Sequence, residues 1–182
     1  MATTMSGTAT EADLMAMPDD GHKYELVNGE IRRLSPAGMR HGGVSFELGA
    51  RLREFAKPRG LGRIFDSSTG FRLPRGSVRC PDVSFVATGR LENDEPPVGF
   101  GPIVPDLAVE VLSPNDGAQE VLDKVGEYLD AGVRLVWVID PQARRGIRYR
   151  SLTDVRTMNA HDELDGEDVL PGFRCPLNEI FQ

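Results

Sequence analysis

Val44, Leu48, Leu52 and Phe55 recur at helical spacing, so the segment from about Met39 to Lys57 predicts a helix with one face turned to a core. Pro58 and Gly60 stop it. Ahead of it, HKYELVNGEIRRLSP alternates on either side of Asn28-Gly29, a dipeptide suited to the positive backbone angles of a tight hairpin. Further upstream, Thr10 can cap a short helix from Glu11 to Met17, with Asp13 placed to close a capping box, before Pro18 ends it. Residues 1–9 are small and polar without periodicity and read as a disordered leader, which leaves 10–182 as a single domain.

Downstream the period changes. Segments 61–66 and 70–74 read as short strands around the turn-forming SSTG. Val78 to Ala87 reads as one strand, with Asp82, Ser84 and Val86 on one face and Val83 and Phe85 on the other. A Pro- and Gly-rich excursion from Gly89 to Pro105 precedes a strand from Leu107 to Leu112, which puts Ala108, Glu110 and Leu112 on one face. A helix follows from about Ala118 to Ala131, with Gly132 as its stop. Leu135 to Ile139 is continuously apolar, as expected of a strand covered on both faces, and Ile147 to Leu152 reads as a more exposed neighbour. Residues past 153 alternate poorly until a short turn near Leu177 to Phe181. Helices falling between strands, with one early hairpin, predict an α/β sandwich around a mixed central sheet.

Composition narrows the class. Hydrophobic residues at 40% and charged residues at 27% fit a soluble globular protein and exclude a largely disordered chain. The longest apolar run is too short to span a bilayer and no signal-peptide pattern opens the chain, so a cytoplasmic location is expected. Cys80 and Cys175 lack CxxC partners and read as core or near-core thiols rather than zinc ligands or a disulfide framework. The net charge of -7 argues against a high-affinity DNA binder, although a local basic strip can steer a substrate. Candidate strips are Arg72, Arg75 and Arg79, and Arg144, Arg145, Arg148 and Arg150; the plainer alternative is that these are turn and strand-edge charges.

The chemistry concentrates in two carboxylates on strands that should be buried, Asp82 in CPDVSFVA and Glu110 in PDLAVEVLSP. Two ionised acids on neighbouring strands lose hydration unless a cation sits beside them. Asp106 is the other acid near Glu110, but at about 3.3 Å per residue the two are roughly 13 Å apart, too far to share one ion. Asp82 is the better partner, and facing side chains of adjacent strands come within about 5 Å. Asp106 is expected to start its strand or bind a loop amide. An arginine could neutralise either acid instead, in a structural ion pair. Lys124 and Tyr128, four apart on the following helix, share a face, and a lysine over the acid pair could position and activate a water. Lys124 could equally be a solvated residue paired with Glu120, Asp123 or Glu127.

The strings PDVSFV, VPDLAVEVLSPND and DKVGEYLDAGVRLVWVIDP, with YELVNGEI and LPGF, resemble the Uma-two family of endonucleases in the PD-(D/E)XK restriction-endonuclease-like superfamily. The likeness covers nearly all of the chain from about Asp13 onward. It implies a restriction-endonuclease-like core: a central mixed sheet flanked by helices, two acidic metal ligands and a lysine. Carried over, Asp82 and Glu110 are the acids, the backbone carbonyl of Val111 is a further ligand, and magnesium is the ion, with manganese able to substitute. The position two after Glu110, where the superfamily places lysine, is Leu112. Lys124 is the relocated candidate. Glu25 and Tyr128 are accessory candidates, and His41, at the helix start in an HG string, is a candidate proton carrier or a structural residue.

The implied activity is metal-dependent hydrolysis of phosphodiesters in nucleic acid, DNA first, leaving 5′-phosphate and 3′-hydroxyl ends. Two rivals stand beside it: a non-catalytic nucleic-acid or protein-binding module of the same fold, favoured by Leu112 and the acidic charge, and a hydrolase using the acids as an acid/base pair, which a chain with one Trp and three Tyr serves poorly. A homodimer is expected, with the Gly89–Pro105 loop or the Trp137 strand contributing the interface.

Overall fold

The computed structural model describes residues 8–101, 103–114 and 116–181. Most of the expected leader, residues 1–7, lies outside the described residues. Ala9 of the same segment is placed: its amide donates to the Gly29 carbonyl at 2.7 Å, and its side chain packs against the small core beneath the first hairpin.

Helix α1 (Glu11–Met15) carries the full capping box, with the Thr10 hydroxyl and the Asp13 carboxylate bonding each other's backbone amides. Strands β1 (Lys23–Val27) and β2 (Glu30–Leu34) form the hairpin. Its two loop residues, Asn28 and Gly29, take φ of 50° and 83°, the left-handed values such a turn requires. Helix α2 (Met39–Ala56) buries Val44, Leu48, Leu52 and Ala56, so the apolar stripe ends in Ala56, while Phe55 packs at the edge. Strands β3 (Gly62–Asp66) and β4 (Phe71–Arg72) follow.

The stretch Val78 to Ala87 is two strands, where one was expected. β5 (Val78–Arg79) belongs to a four-stranded sheet ordered β2-β1-β5-β4. β6 (Val83–Ala87) belongs to the larger sheet. Pro81 has no N–H to continue a ladder, and the Cys80 amide donates to the Glu25 carboxylate instead, so the chain changes sheets between the two. The alternation predicted for this segment survives: Val83 and Phe85 face α2 while Val86 faces the opposite core.

After the long excursion come β7 (Leu107–Val111), helix α3 (Ala118–Asp130) and β8 (Leu135–Asp140), a right-sized crossover that makes β7 and β8 the parallel pair of the sheet. Gly132, at φ 95°, provides the left-handed turn that releases the chain from α3. β9 (Arg145–Tyr149) lies earlier than the expected strand, because residues 150–154 form a turn closed by the Arg150 amide on the Asp154 carbonyl. β10 (Val155–Asn159), β11 (Glu163–Asp165) and β12 (Arg174–Pro176) occupy the region where little order was expected. Only Met158 of β10 turns inward, so side-chain alternation is silent there and backbone pairing with β9 defines the strand.

The six-stranded sheet runs β10-β9-β8-β7-β6-β3 and, apart from β7·β8, is antiparallel, the mixed central sheet that the pattern predicted. One face packs α2 and the C-terminal Leu164, Leu170, Phe173 and Leu177. The other packs α3, through Val125 and Tyr128, together with Phe71 and Leu73. Trp137 sits wholly buried in the first core and stacks on Phe173, so it offers no side chain to an interface. No helix among the described residues is long and apolar enough to cross a membrane.

Candidate active site

Asp82 stands just ahead of β6, and Glu110 is the fourth residue of β7. Val83 pairs with Val109, so the next position outward in this antiparallel register sets Asp82 opposite Glu110. Both line a cleft of about 1210 Å³ that is walled by the β1–β2 hairpin and α2 and reaches the first turns of α3. Sheet register thus brings the two sequence-predicted acids together, and α3 lies over them because β7, α3 and β8 form one crossover.

Glu110 is almost wholly buried and is held at both oxygens. Lys124 Nζ donates to Oε2 at 3.0 Å, and Tyr128 OH donates to Oε1 at 2.6 Å. These donors are one turn apart on α3, as their spacing requires. Burial pushes the Glu110 carboxyl up to about 7; Lys124 pulls it down and the Asp82 charge pushes it further up. Burial opposes the charge on Lys124, but the carboxylates of Glu110 and Glu25 outweigh it and hold the ammonium above its ordinary value. Burial and the same two carboxylates raise Tyr128 well above the usual phenol range, so its hydroxyl stays a donor.

Asp82 is held differently. Its Oδ2 accepts the Val111 amide at 2.8 Å and faces His41 Nε2 at 3.1 Å. The hydrogen bond to Asp82 raises the His41 pKa, burial lowers it, and the balance is upward. Oδ1 takes no protein donor among the described residues, and Asp82 lines the cleft. The sequence offers His41 as a proton carrier or a structural residue but does not pair it with Asp82. Only the approach of the α2 N-terminus to the start of β6 reveals that pairing. Cys80 also lines the cleft, but burial pushes its thiol up to about 12, leaving it neutral and unreactive.

Glu25 lies elsewhere in the same neighbourhood. It is fully buried, accepts Arg79 at 2.9 Å through Oε2 and the Cys80 amide at 2.8 Å through Oε1, and is absent from the cleft lining. Arg79 also forks onto Glu127 of α3 at 2.8 and 2.9 Å. Arg79 is therefore an interior tie rather than part of a basic strip. Of the other proposed strip arginines, Arg72 pairs with Glu11, Arg145 with Asp140, Arg148 with Asp154 and Glu167, and Arg150 with Glu167 and Asp168, whereas Arg75 and Arg144 are exposed without a carboxylate partner among the described residues. Asp106 binds the Ala87 amide at 2.9 Å, the loop-amide role expected of it, and also pairs with Arg90.

Among the described residues no group of three or more His, Cys, Asp or Glu side chains is placed to hold a metal. The donor set still suits magnesium, which is commonly held by one or two carboxylates with waters and substrate phosphates completing its shell. The two facing acids and the open Asp82 oxygen match that habit; a zinc-type cage of His and Cys ligands does not form.

The family model for Uma2, described as "Putative restriction endonuclease", matches residues 11–178. The chain belongs to the Uma2 family. Among solved structures it is similar to a "putative nuclease belonging to DUF820" from Anabaena variabilis ATCC 29413, with a TM-score of 0.82 and 20% identity. That likeness covers 94% of this chain and 97% of the other, so the fold is shared from end to end. No curated protein matches. The restriction-endonuclease-like architecture implied by the sequence resemblance is thus the fold of this Uma2 chain.

Proposed function

We propose that this Uma2 protein is a magnesium-dependent endonuclease that hydrolyses phosphodiester bonds of nucleic acid, DNA foremost, at the Asp82–Glu110 pair. The observation that carries this reading is the register-opposed pair at the cleft floor, with Lys124 Nζ 3.0 Å from Glu110. Asp82 and Glu110, with the Val111 carbonyl, would hold the ion. When bound, magnesium would supply a Lewis acid for the phosphate oxygen and a more acidic water. His41 and the Val111 amide fix Asp82 through Oδ2 and leave Oδ1 without a protein donor among the described residues. Tyr128 fixes Glu110 from the core side. Lys124 lies on the cleft side of Glu110, where its ammonium can orient the attacking water and offset charge that develops on the phosphate. Leu112, at the superfamily's lysine position, is half-buried against the α3 core, so Lys124 brings the ammonium from the helix.

The test is nicking of supercoiled plasmid and cleavage of labelled oligonucleotides with magnesium or manganese. Asp82→Ala and Glu110→Gln are each expected to lower the rate by about a hundredfold or more. Equal cleavage by wild type and both variants would mean a contaminant and end the reading. No cleavage by wild type on any nucleic acid, and no metal-dependent rise in melting temperature, would favour the non-catalytic module.

A further inference from the structure

The α2 wall of the cleft is built largely from small residues, Gly38, Gly42, Ser45, Gly49 and Ala50, at successive turns of the helix. One large apolar side chain stands on it: Phe46, which is 78% exposed. The core-facing stripe of α2 is already filled by Val44, Leu48 and Leu52, so this ring contributes nothing to the interior. Left bare, an aromatic face is solvated at a cost that contact with another apolar face would remove. Phe46 is five residues beyond His41, about 7.5 Å along the helix axis, and lines the same cleft as the acid pair.

Charge along the same cleft indicates what brings the second face. Arg33 on β2 and Arg53 on α2 are exposed, line the cleft, and have no carboxylate partner among the described residues. Of the cleft's other acids, Asp66 and Asp116 accept backbone amides of Ser68 and Ser113, while Glu54 and Glu120 are exposed. Two guanidinium groups without carboxylate partners among the described residues, in the same cleft as an exposed aromatic ring, suit an anionic chain that also carries flat apolar faces. A duplex hides its base faces in the stack and would set only sugar and phosphate against Phe46. A single strand presents both.

We propose that this cleft receives a single-stranded polynucleotide, with an unpaired base stacked on Phe46 and its flanking phosphates on Arg33 and Arg53. This names the substrate class of the nuclease reading above and rests on it.

The experiment is fluorescence anisotropy on the full chain in EDTA, where no cleavage is asked for, with labelled single-stranded DNA, single-stranded RNA and a matched DNA duplex. At least one single strand should bind more tightly than the duplex. Phe46→Ala should weaken that binding about five- to a hundredfold, with duplex binding and melting temperature unchanged, and Phe46→Trp should restore it. Arg33→Ala and Arg53→Ala should each weaken binding and flatten its salt dependence by about 0.7 in log–log slope. Unchanged single-strand affinity in Phe46→Ala overturns the proposal, as does an equal loss on duplex. A wild-type dimer that Phe46→Ala converts to monomer, with binding intact, also overturns it by assigning the ring to contact between copies. Strand-selective binding without metal-dependent cleavage would sink the nuclease reading alone; cleavage indifferent to Phe46 would sink this one alone.

Discussion

Two acidic pairs meet α3 from the same side of the fold, and they are built to opposite ends. In one, Glu25 and Glu127 close on Arg79, whose fork reaches both carboxylates while a backbone amide takes the remaining oxygen of Glu25. In the other, Asp82 and Glu110 face a cleft and are tended by His41, Lys124 and Tyr128. A planar guanidinium with five donors can saturate two carboxylates at once and needs no water to do so. An ammonium and an imidazole hold one oxygen each and leave lone pairs facing outward. The first arrangement ties β1, β5 and α3 together; the second leaves Asp82 Oδ1 without a protein donor among the described residues, where the start of β6 meets the end of β7. One turn of α3 separates the residues that serve the two, so the rigid pair also fixes the helix that carries Lys124.

The largest expected effect that tests this contrast is on the closed pair. Arg79→Met leaves the buried Glu25 and the partly exposed Glu127 without their cation and should cost about 3–5 kcal/mol in urea unfolding. Lys124→Met should cost less than half as much, because Glu110, already at about 7, can take up a proton and discharge itself. Equal losses would remove the distinction between the two regions.

Metal should act on the open pair only. Magnesium at a hundredfold its dissociation constant should stabilise the fold by about 2.7 kcal/mol, read as a rise in melting temperature. Asp82→Asn should abolish that rise, while Phe46→Ala should preserve it. A somewhat smaller effect is expected of Tyr128→Phe, which removes a buried donor from Glu110 and should cost about 2 kcal/mol in the same unfolding assay.

The pH response is of similar size. Glu110 in the fold titrates near 7, above the ordinary carboxylate value of 4.5, so between those limits the native state holds a proton that the unfolded chain has released. His41 is also raised, so its pairing with Asp82 is fully present below 6.5 and fades as pH passes its folded value. Both signs agree: without metal, stability should fall by about 2 kcal/mol or somewhat more from pH 5.5 to 8. Metal binding competes with the same protons, so the stabilisation by magnesium should grow over that range. A flat metal-free profile, with the magnesium effect independent of pH, would place the titrating groups elsewhere.

Local signals carried much of the architecture. The capping box at Thr10, the Asn28-Gly29 turn, the α2 stripe and the buried run of β8 each follow from interactions within a few residues, and the alternation around Asp82 and Glu110 placed both on the α3 side of the sheet. The failures have one physical origin. Val78 to Ala87 reads as a single strand because alternation continues across Pro81, but the missing N–H and the Glu25 carboxylate move the chain between sheets. β10 to β12 are short and turn few side chains inward, so their pairing partners define them. Likewise, Glu25 looks like a hairpin charge until β5 delivers Arg79 to it, and Arg79 looks like part of a basic strip until Glu127 meets it.

The sequence by itself determined which residues can form helices and strands, which acids and which lysine are candidates for the chemistry, and which family they resemble, because these depend on residue type and short spacing. Only the tertiary structure decided that His41 reaches Asp82, that Lys124 and Tyr128 divide the two oxygens of Glu110, and that Arg79 is sealed inside. Those contacts join residues 14 to 54 positions apart, and their geometry is set by strand register and helix packing rather than by the neighbours of any one residue.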